Sequence, residues 1–132
     1  SENKKFRVIK NEDLFDSVAS GSAGYDAMIV VPCSMGTLAK IANGIATDLI
    51  SRAADVILKE QKQLILIARE SPYNKIHLQN MLKLIEAGSQ IIPASPFFYH
   101  HPTSIDELLD PFIARIIEKI GIEIKFERWK SV

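Results

Sequence analysis

Short apolar runs alternate along this chain with stretches whose apolar positions recur every three or four residues, the pattern of strands separated by amphipathic helices. Met28 to Val31 is too short for a helix and too apolar for an edge strand, and strand signals recur at Leu64 to Ala68 and Gln90 to Pro93. Ser34 to Asn43, Thr47 to Lys59 and Asn74 to Ala87 carry the helical period, and Gly88 is placed to stop the last of them. A further short strand is expected at Phe6 to Ile9. A polar loop follows from Asn11 to Tyr25, with Ala-Ser-Gly-Ser at Ala19 to Ser22, and a connection of that length predicts a role. Ser104 and Glu107 have the S-x-x-E spacing of a capping box that opens a last helix, which Pro111 should kink or restart before Ile113 to Ile120. Strand and helix in alternation, with short connections, predict an α/β fold of parallel βαβ units.

The densest segment is Ala27 to Ala42, a strand, a tight turn and a helix in succession. Pro32 is expected to end the strand, and Ser34 to cap a helix whose apolar face is Leu38, Ile41 and Ala42. Backbone N–H groups at a helix start lack intrahelical partners, and with the Ser34 and Thr37 hydroxyls they can hold an anion. The same residues also suit a plain capped turn, since there is no glycine-rich dinucleotide fingerprint and no Gly-Lys-Ser phosphate loop. In open α/β sheets ligands sit beyond the carboxyl ends of the strands. The next two strands end in Arg69-Glu70-Ser71-Pro72 and, after Pro93, in Pro96-Phe97-Phe98-Tyr99-His100-His101-Pro102. Arg69-Glu70 could be an ion pair on a loop and Tyr99 a rim aromatic packed on Pro96; convergence of all three ends at one sheet edge favours a site. Arg52 and Lys59 share a face of their helix, where one anion could lie between them and a partner. Composition favours a solvated ladder of Asp48, Arg52, Asp55 and Lys59 instead. Cys33, between strand and helix, could be a nucleophile activated by the helix dipole, but a small buried thiol is the favoured reading.

Length and charge narrow the field. The 132 residues make one domain with a real core, small for a complete doubly wound sheet. Lys plus Arg and Asp plus Glu are 16 each, so no overall field attracts nucleic acid or anionic lipid. One cysteine suits a reducing compartment, and the chain has neither a run of membrane-spanning length nor a leader pattern, so a cytoplasmic protein is expected. His77, His100 and His101 lack ligand spacing, and no aspartate-rich motif suggests magnesium on a diphosphate. No metal is therefore expected, and a departing phosphate would be stabilised by cationic side chains.

These segments, in this order, resemble the C-terminal part of the UbiX/Pad1 flavin prenyltransferase family: ASGS at Ala19 to Ser22, VVPCSMGTLAKIANG at Val30 to Gly44, RAADVILKE at Arg52 to Glu60, ARE at Ala68 to Glu70, HLQNMLKL at His77 to Leu84, FYHHP at Phe98 to Pro102 and RW at Arg128 to Trp129. The resemblance covers almost everything after Phe6. It implies a Rossmann-like (flavodoxin-like) three-layer sandwich with a parallel sheet. The implied activity is metal-independent transfer of a dimethylallyl group from dimethylallyl phosphate to reduced FMN, bonding at flavin N5 and then C6, to make prenylated FMN for a UbiD-type decarboxylase. Carried over by position, Ser34, Met35, Gly36, Thr37 and Arg69 resemble FMN contacts. Lys59, Tyr99 and Arg115 resemble ligands of the prenyl phosphate, with Arg52 a further cation brought in from a neighbouring subunit. Glu70 resembles a proton-handling carboxylate near flavin N5 and Trp129 a lid over the prenyl pocket. The implied assembly is a trimer-based homo-oligomer, a dodecamer being one form.

The resemblance also implies a departure. Family members open with a strand, a G-A-S-G type loop that grips the FMN phosphate, and further units bearing a helical glutamate, none of which occurs here. Residues 1–132 are accordingly expected to be a single flavoprotein-type domain incomplete at its N-terminus, with the first βα units missing, or else a naturally shortened, non-catalytic assembly module. A flavin-dependent cysteine decarboxylase is the remaining alternative; its P-A-S-A-N-T turn differs from Pro32-Cys33-Ser34-Met35-Gly36-Thr37 in the asparagine that would place a substrate carboxylate.

Overall fold

The structure, a computed structural model, describes residues 6–124. The chain divides into two compact units, Ser1–Ala94 and Ser95–Val132. The first unit holds strands β1 (Ala27–Cys33), β2 (Gln63–Ala68) and β3 (Gln90–Pro93) and helices α1 (Met35–Ala42), α2 (Leu49–Lys59) and α3 (Lys75–Glu86). The second holds α4 (Ile105–Lys119). Strand order is β1-β2-β3 and both pairings are parallel. This is a flavodoxin-like α/β arrangement, with its helices and strands close to the predicted bounds.

Burial explains why β2 is central. Leu64, Leu66 and Ala68 face a core built with Val30 and Cys33 of β1, Met35, Leu38 and Ile41 of α1, Ala54 and Ile57 of α2, and Leu84 of α3. Ile65 and Ile67, on the opposite face, are buried as completely. A strand covered on both sides needs an unbroken apolar run, which Leu64 to Ala68 supplies. Each helix of this unit starts on a side-chain cap: Ser34 for α1, Asp48 with Ser51 for α2, and Asn74 with His77 for α3.

Four expectations need correction. No strand forms at Phe6 to Ile9; Phe6 and Val8 are exposed, and the segment is tied by an Arg7–Asp16 ion pair of 2.7 Å rather than by a neighbouring strand. The loop from Asn11 to Tyr25 contains two 3-10 turns, Ser17–Ala19 and Gly21–Ala23, and its Asn11 accepts the N–H groups of Leu49 and Ile50 at the start of α2. Pro32 does not end β1, which runs on to Cys33 through a register shift between Val30 and Cys33. Against the expectation from its apolar run, β1 is an edge of the described sheet, and a bulge on an edge strand is where a residue without an N–H is tolerated. Nor does Pro111 restart the last helix, because α4 is continuous through it. Among the described residues no helix is long and apolar enough to cross a membrane.

Leu66→Ala should lower unfolding free energy by about 2–5 kcal/mol, since a side chain enclosed on its face of β2 leaves a cavity. Asp48→Ala should cost about 1 kcal/mol at neutral pH. Hydrogen bonds from the Ser51 hydroxyl and N–H hold the Asp48 carboxyl below its ordinary 3.8, helped by Lys40. A depressed carboxyl stabilises above its unfolded pKa and loses that contribution as pH falls past 3.8 and through the lower folded value. Urea titrations should therefore show the Asp48→Ala deficit shrinking in acid; a deficit constant down to strongly acidic pH would contradict the charged cap.

Candidate functional site

The register of β1 on β2 sets the first part of the site. Cys33 pairs with Ala68, and the Arg69 N–H then donates to the Cys33 carbonyl at 3.1 Å. On the other side the Ala94 N–H donates to the Ala68 carbonyl at 2.9 Å. The chain exits after β1, β2 and β3 thus lie side by side, and the Ser34–Thr37 turn leaves next to Arg69.

Within that turn Ser34 Oγ accepts the Thr37 N–H at 3.2 Å and donates to Thr37 Oγ1 at 3.2 Å. The cap uses one helix-start donor and leaves those of Met35 and Gly36, to which helix geometry gives no acceptor. Space before Gly36 is open, because a Cβ there would meet nothing nearer than Ser34 Oγ at 3.9 Å. The Met35 side chain points into the core, so only its backbone can serve a ligand. Two N–H groups and the Thr37 hydroxyl, with the exposed Arg69 at the end of the neighbouring strand, suit an anionic or carbonyl-bearing group.

Arg69 and Glu70 do not form the loop ion pair that was one account of them. Glu70 Oε1 instead accepts the Ser71 N–H at 2.9 Å, which fixes the carboxylate at the strand end. Arg69 is exposed and has no ion pair among the described residues. The ladder predicted along α2 does not form either. Asp48 turns to cap α2 and pairs with Lys40 at 3.4 Å, while Lys59 lies 3.8 Å from its neighbour Glu60. Arg52 and Lys59 are both exposed. Lys59 precedes β2 and Arg69 follows it, so the length of a six-residue strand, at roughly 3.3 Å per residue, separates them. The Ala-Ser-Gly-Ser loop lies at the Lys59 end: Ser20 and Gly21 line a small cleft with Tyr25, Val56, Ile57 and Glu60.

The second unit brings Tyr99 and Arg115 to one ring. Tyr99 stacks on Phe97 with centroids 5.4 Å apart, and the Arg115 guanidinium lies 5.9 Å from the same ring's centroid. Phe112 meets Phe97 edge-on at 6.5 Å. Phe97 is the residue that sequence reasoning missed; the aromatic run was visible, but its pairing with Arg115 on α4 had no signal in spacing. Trp129 lies outside the described residues. Cys33 is completely buried, and desolvation pushes its thiol up to about 11, which suits packing and not nucleophilic attack.

A match to the family described as Flavoprotein covers residues 2–129. The flavin prenyltransferase UbiX of Pseudomonas aeruginosa is 47% identical over 126 residues, 95% of this chain and 60% of that protein. The crystal structure of AnUbiX (PadA1) in complex with FMN and dimethylallyl pyrophosphate is 47% identical, with a TM-score of 0.88 over 92% of this chain and 65% of that one. A dodecameric FMN-dependent UbiX-like decarboxylase from Escherichia coli is 43% identical, with a TM-score of 0.86 over 92% of this chain and 66% of that one. Fold and family match together define a flavodoxin-like protein of the flavoprotein class. Within that class the chain belongs to the UbiX/Pad1 family, and it spans less than two thirds of the length of each of these relatives.

Because its thiol stays protonated and enclosed, native Cys33 should resist iodoacetamide at pH 8 and react fully in urea. Stoichiometric labelling of the folded protein would contradict its placement.

Proposed function

We propose that the full-length protein is a flavin prenyltransferase, moving a dimethylallyl group from dimethylallyl phosphate to reduced FMN. The observation that carries this reading is the 47% identity to AnUbiX, whose structure is described as a complex with FMN and dimethylallyl pyrophosphate. Bound reduced FMN supplies the nucleophilic ring. The Ser34 to Thr37 turn and Arg69 hold it at the strand ends through backbone N–H groups, hydroxyl and guanidinium. Tyr99 and Arg115 take the prenyl phosphate, donating a hydrogen bond and a positive charge to the leaving oxygens as the allylic bond breaks. The Phe97 face beside them shelters developing positive charge on the allyl group from water. Glu70 orients or moves a proton at the flavin nitrogen that is alkylated, and Trp129 closes the prenyl pocket. No metal takes part in this scheme.

The wide separation of Lys59 from Arg69 supports a site shared between subunits. Arg52 and Lys59 of one copy then serve the prenyl phosphate of a neighbour in a trimer-based homo-oligomer. The dodecameric description of the Escherichia coli relative supports assembly of this kind. The product passes to a UbiD-type decarboxylase in the cytoplasm.

Anaerobic single-turnover assays with reduced FMN, dimethylallyl phosphate and a chelator test the scheme. Arg69→Ala should weaken FMN binding. Tyr99→Phe and Arg115→Ala should leave FMN bound and slow transfer by about 10² to 10³, the usual effect of removing one donor to developing negative charge. Full activity of both variants would overturn their assignment, and a strict requirement for added magnesium would overturn the metal-free scheme.

A further inference from the structure

Pro111 has no N–H to give to the carbonyl of Glu107, four residues earlier in α4. That carbonyl finds a donor outside the helix, since His100 Nε2 lies 2.9 Å from Glu107 O. A carbonyl oxygen only accepts, so the Nε2 atom carries the proton. His100 belongs to the turn that presents Tyr99, closed by the His101 N–H on the Phe98 carbonyl at 3.0 Å. Its ring meets Tyr99 edge-on at 5.7 Å and Phe97 at 6.4 Å.

Glu107 holds the same segment a second time. The S-x-x-E box is only half formed: Ser104 Oγ accepts the Glu107 N–H at 3.1 Å, but the Glu107 carboxylate reaches past Ser104 to Thr103. There Oε2 accepts the N–H at 2.7 Å and the hydroxyl at 2.9 Å. One residue of α4 thus binds the Tyr99 turn through its backbone and the end of that turn's exit through its side chain.

We infer that His100 is a positioning residue, which uses the helix carbonyl left without a donor by Pro111 to fix the turn that carries Tyr99. The proline is then part of the device, because an ordinary residue at that position would bond to the Glu107 carbonyl itself. The consequence for prenyl phosphate rests on the role of Tyr99 proposed above. The link between His100 and Pro111 does not.

The test is a double-mutant cycle in the full-length protein, read by urea unfolding, together with kinetics in dimethylallyl phosphate. His100→Leu should reduce the folding equilibrium constant about tenfold with Pro111 present, the scale of one lost hydrogen bond, and by much less in a Pro111→Ala background, where the Ala N–H serves the carbonyl. KM for dimethylallyl phosphate should rise several-fold in His100→Leu with FMN affinity unchanged. His100→Gln, which keeps a donor at the position of Nε2, should restore both. An equal unfolding cost in the two backgrounds, or a His100→Gln variant as impaired as His100→Leu, would overturn the inference. If the wild-type protein transfers no prenyl group, the enzymatic reading fails, and the unfolding cycle alone decides the His100–Pro111 link.

Discussion

The hydrogen bond from the Arg69 N–H to the Cys33 carbonyl marks where β1 and β2 part, and the strand-end chemistry follows from it. It exists because β2 is enclosed on both faces and can pair in only one register without exposing apolar side chains. Once that register is set, the Ser34 turn and Arg69 must emerge together. The bulge after Val30 lets β1 carry Pro32 and still bring Cys33 into line with Ala68. Cys33 is therefore a residue of the register, small enough to be enclosed where the strand meets the helix.

The two units divide the polar residues by kind. In Ser1–Ala94 the donors are backbone groups at a helix start, a hydroxyl and one guanidinium, fixed by strand pairing. In Ser95–Val132 they are a phenol and a guanidinium held to a shared aromatic ring, with the turn anchored on Glu107 of α4. Caps and ring contacts both hold polar groups in place before any ligand arrives, the condition for electrostatic stabilisation without reorganisation. Arg52 and Lys59 fall outside both arrangements, on an exposed helix face.

Much of this was legible from local rules. The capped turn at Ser34, the buried run of β2 and the stop at Gly88 each follow from short-range chemistry that the sequence displays directly. What was not legible depended on partners distant in the chain. Phe6 to Ile9 has strand composition, but among the described residues it pairs with no strand. Asp48 reads as one rung of a ladder along α2, yet the helix start needs its carboxylate more. Pro111 looks like a break because the remedy, His100, belongs to a loop that no helical periodicity connects to it. The shared ring at Phe97 was hidden for the same reason.

In the proposed function one strand register builds one flavin seat from the Ser34 to Thr37 turn and Arg69. Hydrogen–deuterium exchange of the full-length protein with and without saturating FMN tests it most directly. Amides at Met35, Gly36 and Arg69 should gain protection together, while those of α3 remain unchanged. Protection that appears instead around Ser20, Gly21 and Glu60, with the turn and Arg69 unaffected, would contradict it.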